Sequence, residues 1–142
     1  MNSTNKIIVT DFMETIWNQR QFPKLAHFLA VGFTDHSLPP ALPLNEEGTK
    51  SWIIATGKSF EHKTFIDELI CENDKVVVKL TMHLKHIGEW RNMAATYKTI
   101  QTGGYRLFRL SDGKIIEHWG LIDASAIESQ LRDVSLSCKV NR

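Results

Sequence analysis

Proton transfer is the chemistry that the polar residues of this chain could carry. Asp35 and His36 are neighbours in a stretch, Phe33 to Pro43, that also holds Pro39 and Pro40. An imidazole beside a carboxylate can shuttle protons near neutral pH. His118 lies between Glu117 and Trp119, and Asp123 follows shortly after. A carboxylate set among apolar groups has its pKa raised by desolvation, toward the range useful in acid–base work. Each of these residues also has a plain structural alternative. Asp123 stands where a helix cap is wanted, His36 can be a loop histidine bonded to backbone, and His118 can lie on a sheet surface or at a dimer interface.

The bulk properties leave small-molecule chemistry open and close several other routes. The chain has 142 residues with a formal net charge of +1, and its basic residues form no long run, so nucleic acid is not the expected partner. No stretch approaches a membrane span, and Met1 to Asn5 is polar with no apolar segment behind it, which points to a cytoplasmic protein. Cys71 and Cys138 come without CxxC or HxxxH spacing, so no disulfide framework and no metal site is expected. The sequence contains neither a P-loop nor a glycine-rich dinucleotide fingerprint, which argues against phosphoryl and hydride transfer.

The elements that must position these residues follow from periodicity. Ile8, Phe12 and Ile16 recur every four residues beside Val9, Met13 and Trp17, predicting a first helix that ends near Asn18 with Ser3 or Thr4 as its cap. Phe22-Pro23-Lys24 opens a short second helix whose apolar face is Leu25, Phe28 and Leu29. The prolines make Phe33 to Pro43 a loop or lid. Asn45 caps a third helix, with Glu46 and Glu47 in its first turn and Trp52, Ile53, Thr56 and Phe60 on one side, ending around Ser59 to Glu61.

Beyond this the period changes from about four to two, as strands require. Thr64 to Cys71 and Lys75 to His86 form a hairpin around Glu72-Asn73-Asp74, with Val76, Val78, Leu80, Met82 and Leu84 on one face. His86 shares that face, whereas His83 does not. Glu89 to Gly103 contains a loop, and Tyr105 to Leu110 pairs with Lys114 to Ile122 across Ser111-Asp112-Gly113. Ala124 to Leu131 is a short terminal helix, and Ser135 to Arg142 reads as a frayed tail. The expectation is a single α+β domain over 1–142, a curved antiparallel sheet closing as a cone over three N-terminal helices around a pocket.

Several local strings resemble a known family. Phe33-Thr34-Asp35-His36-Ser37-Leu38-Pro39-Pro40, Glu47-Gly48 with Trp52 and Phe60, Asn73-Asp74-Lys75-Val76-Val77-Val78, Lys85-His86-Ile87-Gly88-Glu89-Trp90, and Asp112-Gly113-Lys114-Ile115-Ile116-Glu117-His118-Trp119 with Asp123 occur in an order similar to that of the SnoaL-like polyketide cyclases of the nuclear-transport-factor-2-like superfamily. The resemblance implies a cone-shaped fold, a homodimer through the sheet, and a cofactor-free aldol condensation closing a polyketide ring. Such a reaction needs a base beside a carbonyl and an acid for the alkoxide, within an apolar cavity. Asp123 matches the family's Asp after the Trp and is the first acid–base candidate. The chain departs from the family at Gly120, where many members carry an acidic residue, and in the loop Arg91 to Thr102.

The candidates are therefore Asp123, His36 and His118 for proton transfer, and Trp17, Trp52, His86, Trp90, Tyr105 and Trp119 for the pocket wall. Strand alternation places His118 opposite Trp119 and Asp123 unless a bulge intervenes, and Trp119 and Asp123 are taken as the inward set. Three functions fit: an enzyme acting on a small apolar carbonyl compound, a protein that only binds such a molecule, and a dimerisation module with a self-filled cavity.

Overall fold

The computed structural model describes residues 2–133, so Cys138 and the expected tail lie outside the described residues. Helix α1 (Asn2–Phe12) takes Ser3 and Thr4 into its first turn instead of being capped by them. It runs directly into a π-helical turn, Met13–Asn18. Val9, Phe12, Met13, Ile16 and Trp17 make the buried stripe, as the four-residue spacing predicts. The wide turn is held to the sheet by Asn18, whose side-chain amide donates to the Thr64 carbonyl (3.0 Å) and accepts from the Thr64 amide (2.8 Å).

A 3₁₀ turn opened by Pro23 leads into the four-residue α2 (Leu25–Phe28). Helix α3 (Glu46–Ser59) is capped by Asn45, which accepts from the Gly48 amide at 3.1 Å, as its sequence predicts. The strands are β1 (Leu29–Asp35), β2 (Phe60–Glu72), β3 (Lys75–His86), β4 (Thr99–Ser111) and β5 (Lys114–Ile122), and α4 (Ala124–Arg132) closes the described chain. They form one five-stranded sheet in the order β1-β5-β4-β3-β2.

Two expectations need correction. The sheet is mixed and does not close, because β1 runs parallel to β5 and ends the sheet opposite to β2. The first part of the expected loop, Phe33 to Asp35, is strand. Gly32, at φ 84°, interrupts the alternation of β1, and Val31 is fully exposed, so no period-two signal survives for a sequence reader to find. The hairpin turns do follow expectation: Asp112 and Gly113 both adopt positive φ (50° and 77°), the primed-turn geometry that matches strand twist.

One face of the sheet is apolar and carries the helices. Val76, Val78, Leu80, Met82 and Leu84 of β3 meet Ile100, Phe108 and Leu110 of β4, and α1 packs over them. Phe108 is 1% exposed and stands at the centre, its ring edge-on to Phe12 at 5.8 Å and tilted against His118 at 4.8 Å. Among the described residues no helix is long and apolar enough to cross a membrane. Phe108→Ala should lower the unfolding free energy by about 3–5 kcal/mol, read from urea denaturation. A loss below about 1 kcal/mol would mean that the core does not depend on this ring.

Candidate functional site

A single extra residue in β5 decides which side chains meet inside. Leu110 pairs with Ile115, but Arg109 pairs with Glu117, so Ile116 is unmatched and the alternation slips by one. From there on His118, opposite inward Phe108, points into the core, while Glu117 and Trp119 point to the outer face. Asp35, the register partner of His118 across the parallel β1/β5 pair, is also inward and only 3% exposed. Arg106, opposite Gly120 and two residues from Phe108, completes an inward polar group and is 5% exposed.

The hydrogen bonds among these three residues assign their protons. The Arg106 guanidinium can only donate, so at 3.2 Å from His118 Nε2 it makes that nitrogen an acceptor. The imidazole proton then sits on Nδ1, 3.0 Å from Asp35 Oδ1, and is donated to the carboxylate. Asp35 also accepts from the Ser37 amide (3.1 Å), the Ser37 hydroxyl (2.7 Å) and the Thr49 hydroxyl (3.2 Å). Burial alone would raise the Asp35 pKa, but the bonds from His118 and Ser37 outweigh it and bring the carboxyl down to about 2.

Burial pushes the His118 imidazole below its ordinary range; the bond to Asp35 opposes this and the Arg106 charge adds to it. His118 is thus a neutral imidazole at neutral pH, fixed in one tautomer. Burial also lowers the Arg106 guanidinium to about 10, partly offset by Asp35, so it stays charged. His62, with its ring 5.5 Å from that of Trp17, is lowered to about 4 by burial and then by the charges of Arg106 and Arg20.

Two spaces adjoin this group. A pocket of about 20 Å³, roughly one water molecule in size, lies against Asp35, Ser37, Thr49, Arg106 and His118. A cavity of about 450 Å³ opens beyond it, walled mainly by Trp17, Trp52, Phe60, Met82, Leu84 and Trp90. That volume suits a small organic molecule. Arg106, Trp17 and Trp52 border both spaces. The guanidinium carbon lies 4.4 Å from the Trp17 ring centroid, and the partition is therefore a cation stacked on an indole. Gly120 makes room for it: a Cβ there would come within 3.0 Å of Arg106 Nη1 and 3.1 Å of His118 Cε1.

The SnoaL-like polyketide cyclase family model matches residues 7–131. The chain belongs to the SnoaL-like polyketide cyclase family. Its fold is similar to that of TsrD from Streptomyces laurentii (22% identity, TM-score 0.82, covering 93% of this chain and 97% of that one). IdmH from Streptomyces antibioticus is similar too (20%, TM-score 0.81, covering 89% and 97%). So is a SnoaL-like polyketide cyclase from Agrobacterium tumefaciens (15%, TM-score 0.75, covering 89% and 97%). No curated protein matches the chain in sequence.

Within this SnoaL-like fold the residues singled out from sequence separate into groups. Trp17, Trp52 and Trp90 line the cavity. His118 lines the small pocket beside the cavity, on the far side of Arg106, the reverse of the orientation expected for β5. Trp119 is a correction: it faces outward, stacked on His36 at 4.6 Å and 11°. His36 lies on that outer side as well, bonded to Glu117 at 2.7 Å, with Arg109 on the other oxygen of the same carboxylate. Tyr105 is also outward and 53% exposed.

Asp123 is the larger correction. It is exposed, and its side chain caps α4 by accepting from the Ala126 amide at 3.0 Å, so the structure does not bring it to the histidines. His86 points inward but is wholly buried; its Nδ1 accepts from the Thr96 amide at 3.1 Å and its Nε2 has no partner among the described residues. It does not reach the cavity wall. The sequence marks Asp35 only as the neighbour of His36 and does not single out Arg106. The signal for Arg106 was present: a charge in the inward phase of β4, between Gly104 and Phe108.

The buried groups set a pH dependence whose sign is determined. Below about 6.5, His62 and His118 take up protons in the unfolded chain that they refuse in the native one. Between 3.8 and about 2, Asp35 does the same. The unfolded state binds more protons throughout, so stability should fall steadily as pH drops from 7. Urea denaturation at a series of pH values should show this slope, and His62→Gln should flatten it between pH 6.5 and about 4. An unchanged slope in that variant would contradict the assignment.

Proposed function

We propose that this SnoaL-like protein moves a proton at a carbon next to a carbonyl in a small, mainly apolar compound, with His118 as base. The observation that supports it most is the Asp35–His118–Arg106 relay, whose three members border the small polar pocket and whose Arg106 also borders the apolar cavity beside it. Asp35 holds the imidazole by Nδ1, as an orienting carboxylate must, and leaves Nε2 as the basic atom.

In the free protein the Nε2 lone pair is taken by Arg106. A carbonyl oxygen that accepts the Arg106 Nη1–H in place of His118 both frees the base and becomes polarised. Nε2 then removes the α-proton, and the electron pair moves onto the carbonyl oxygen as an enolate beside the guanidinium. Desolvation by Trp17, Trp52 and Phe60 strengthens that pairing. The enolate carbon attacks a second carbonyl of the same molecule, forming a C–C bond, and the imidazolium returns its proton to the resulting alkoxide. Protons and one electron pair move within one substrate, so the balance calls for no electron carrier.

A second reading, a binding protein without turnover, is favoured by the same Arg106–His118 bond if no ligand displaces it. The two separate on exchange of α-protons of 4-phenyl-2-butanone into D₂O, followed by NMR. The wild type should accelerate exchange over buffer. His118→Gln should remove about 10²–10⁴-fold of that acceleration, and Asp123→Ala should leave it within about twofold while costing about 1 kcal/mol of stability as a lost cap. Exchange no faster than buffer, or equal in wild type and His118→Gln, would overturn the base assignment.

A further inference from the structure

Arg106 has more donors than its surroundings use. Among the described residues its one hydrogen bond runs from Nη1 to His118, and Nε is buried with no partner at all. A buried guanidinium N–H without an acceptor carries the full cost of its desolvation, so its persistence calls for an explanation. Asp35 supplies the counter-charge, but only through the intervening imidazole. The guanidinium therefore keeps one whole edge, Nε with Nη2, free of any carboxylate.

The cavity itself shows the same imbalance of charge. Its described lining includes two guanidinium groups, Arg106 at the inner end and Arg91, and no acidic side chain. The other polar side chains there are Thr56 and Ser59, against a wall of tryptophan, phenylalanine and aliphatic residues. Arg91 is engaged by Glu128 at 3.0 Å and lies over the Trp90 ring, which leaves Arg106 as the charge available to a ligand.

We propose that the molecule bound here carries a carboxylate on an apolar, aromatic-sized body, and that this carboxylate docks on the free Nε–Nη2 edge of Arg106 as a two-pronged ion pair. The inference rests on the cavity being the ligand site described above, and it narrows the substrate from an apolar carbonyl compound to a keto acid. The fork geometry of a guanidinium fits two oxygens sharing one charge, and the absence of a competing carboxylate in the lining makes the pair the ligand's to form. The Nη1 hydrogen stays with the reacting carbonyl. The second edge positions the molecule so that its α-carbon faces His118, turning binding energy into orientation.

The test compares 4-oxo-4-phenylbutanoate with its primary amide, a pair equal in shape and different in charge, by titration calorimetry at pH 7.5. The wild type should bind the acid at least about tenfold more tightly than the amide. In Arg106→Met the preference should fall to about one, with folding checked by circular dichroism. Should that variant not fold, Arg106→Lys keeps the charge without the fork and should lose most of the preference. Equal affinities in the wild type, binding of neither probe, or a preference that survives both variants would overturn the proposal. Ketone exchange that persists alongside any of these would locate the failure in the carboxylate contact and leave the base assignment standing.

Discussion

The interior depends on one unmatched residue. If Ile116 were an ordinary matched residue of β5, inward Ile115 would be followed by inward Glu117 and Trp119, and Asp35 would have no imidazole beside it. A carboxylate and an indole would occupy the place now held by His118, and the core would contain two acids near one arginine. The bulge reverses this. It turns Glu117 outward to Arg109 and His36, where a carboxylate is readily solvated, and turns His118 inward to the one buried acid that needs a donor. One residue therefore sorts Glu117, His118 and Trp119 between two faces.

Burying Asp35 and Arg106 a few side chains apart would be costly if either stood alone. The carboxylate is met by a hydroxyl, an amide and an imidazole N–H from the loop after β1 and from β5, and by Thr49 on α3. These contacts also tie α3 to the sheet edge, since the Asp35 amide donates to the Leu44 carbonyl just before the helix. Arg106 is treated differently. It receives an indole face and one imidazole nitrogen, and Gly120 gives it space where any Cβ would press on that bond. The acid is satisfied by the protein, and the guanidinium is left partly open.

That contrast bears on how much could be read in advance. The helices α1 and α3, the Asn45 cap and both hairpins were legible because their signals are local: four-residue spacing, a capping side chain, and turn residues between alternating runs. Strand β1 was not, because Gly32 breaks its alternation and its partner, β5, is about eighty residues away in sequence, where no local rule reaches. Asp35 and His36 were read as one unit, although neighbours on an extended chain point to opposite faces, and the pleat sends the first to His118 and the second to Glu117. Family resemblance led to Asp123 by position along the chain, while its geometry is that of a helix cap. Arg106 carries a local signal of its own: a charge in the inward phase of an apolar strand needs a partner inside, and here it has one acceptor, His118 Nε2.

In the proposed reaction the boundary between the two spaces carries the chemistry. An apolar wall lowers the effective dielectric around any charge that develops in the cavity, so a cation fixed at its end acts more strongly there than at the surface. The same wall makes an unmet polar group expensive, and selectivity follows from that cost. A ligand lacking an acceptor at the right place would leave Arg106 bonded to His118 and the base occupied. One that offers acceptors both frees the imidazole and satisfies the guanidinium in a single exchange of partners. In that proposal gating and recognition are the same event, because both run through the hydrogen bonds of one side chain stacked on Trp17.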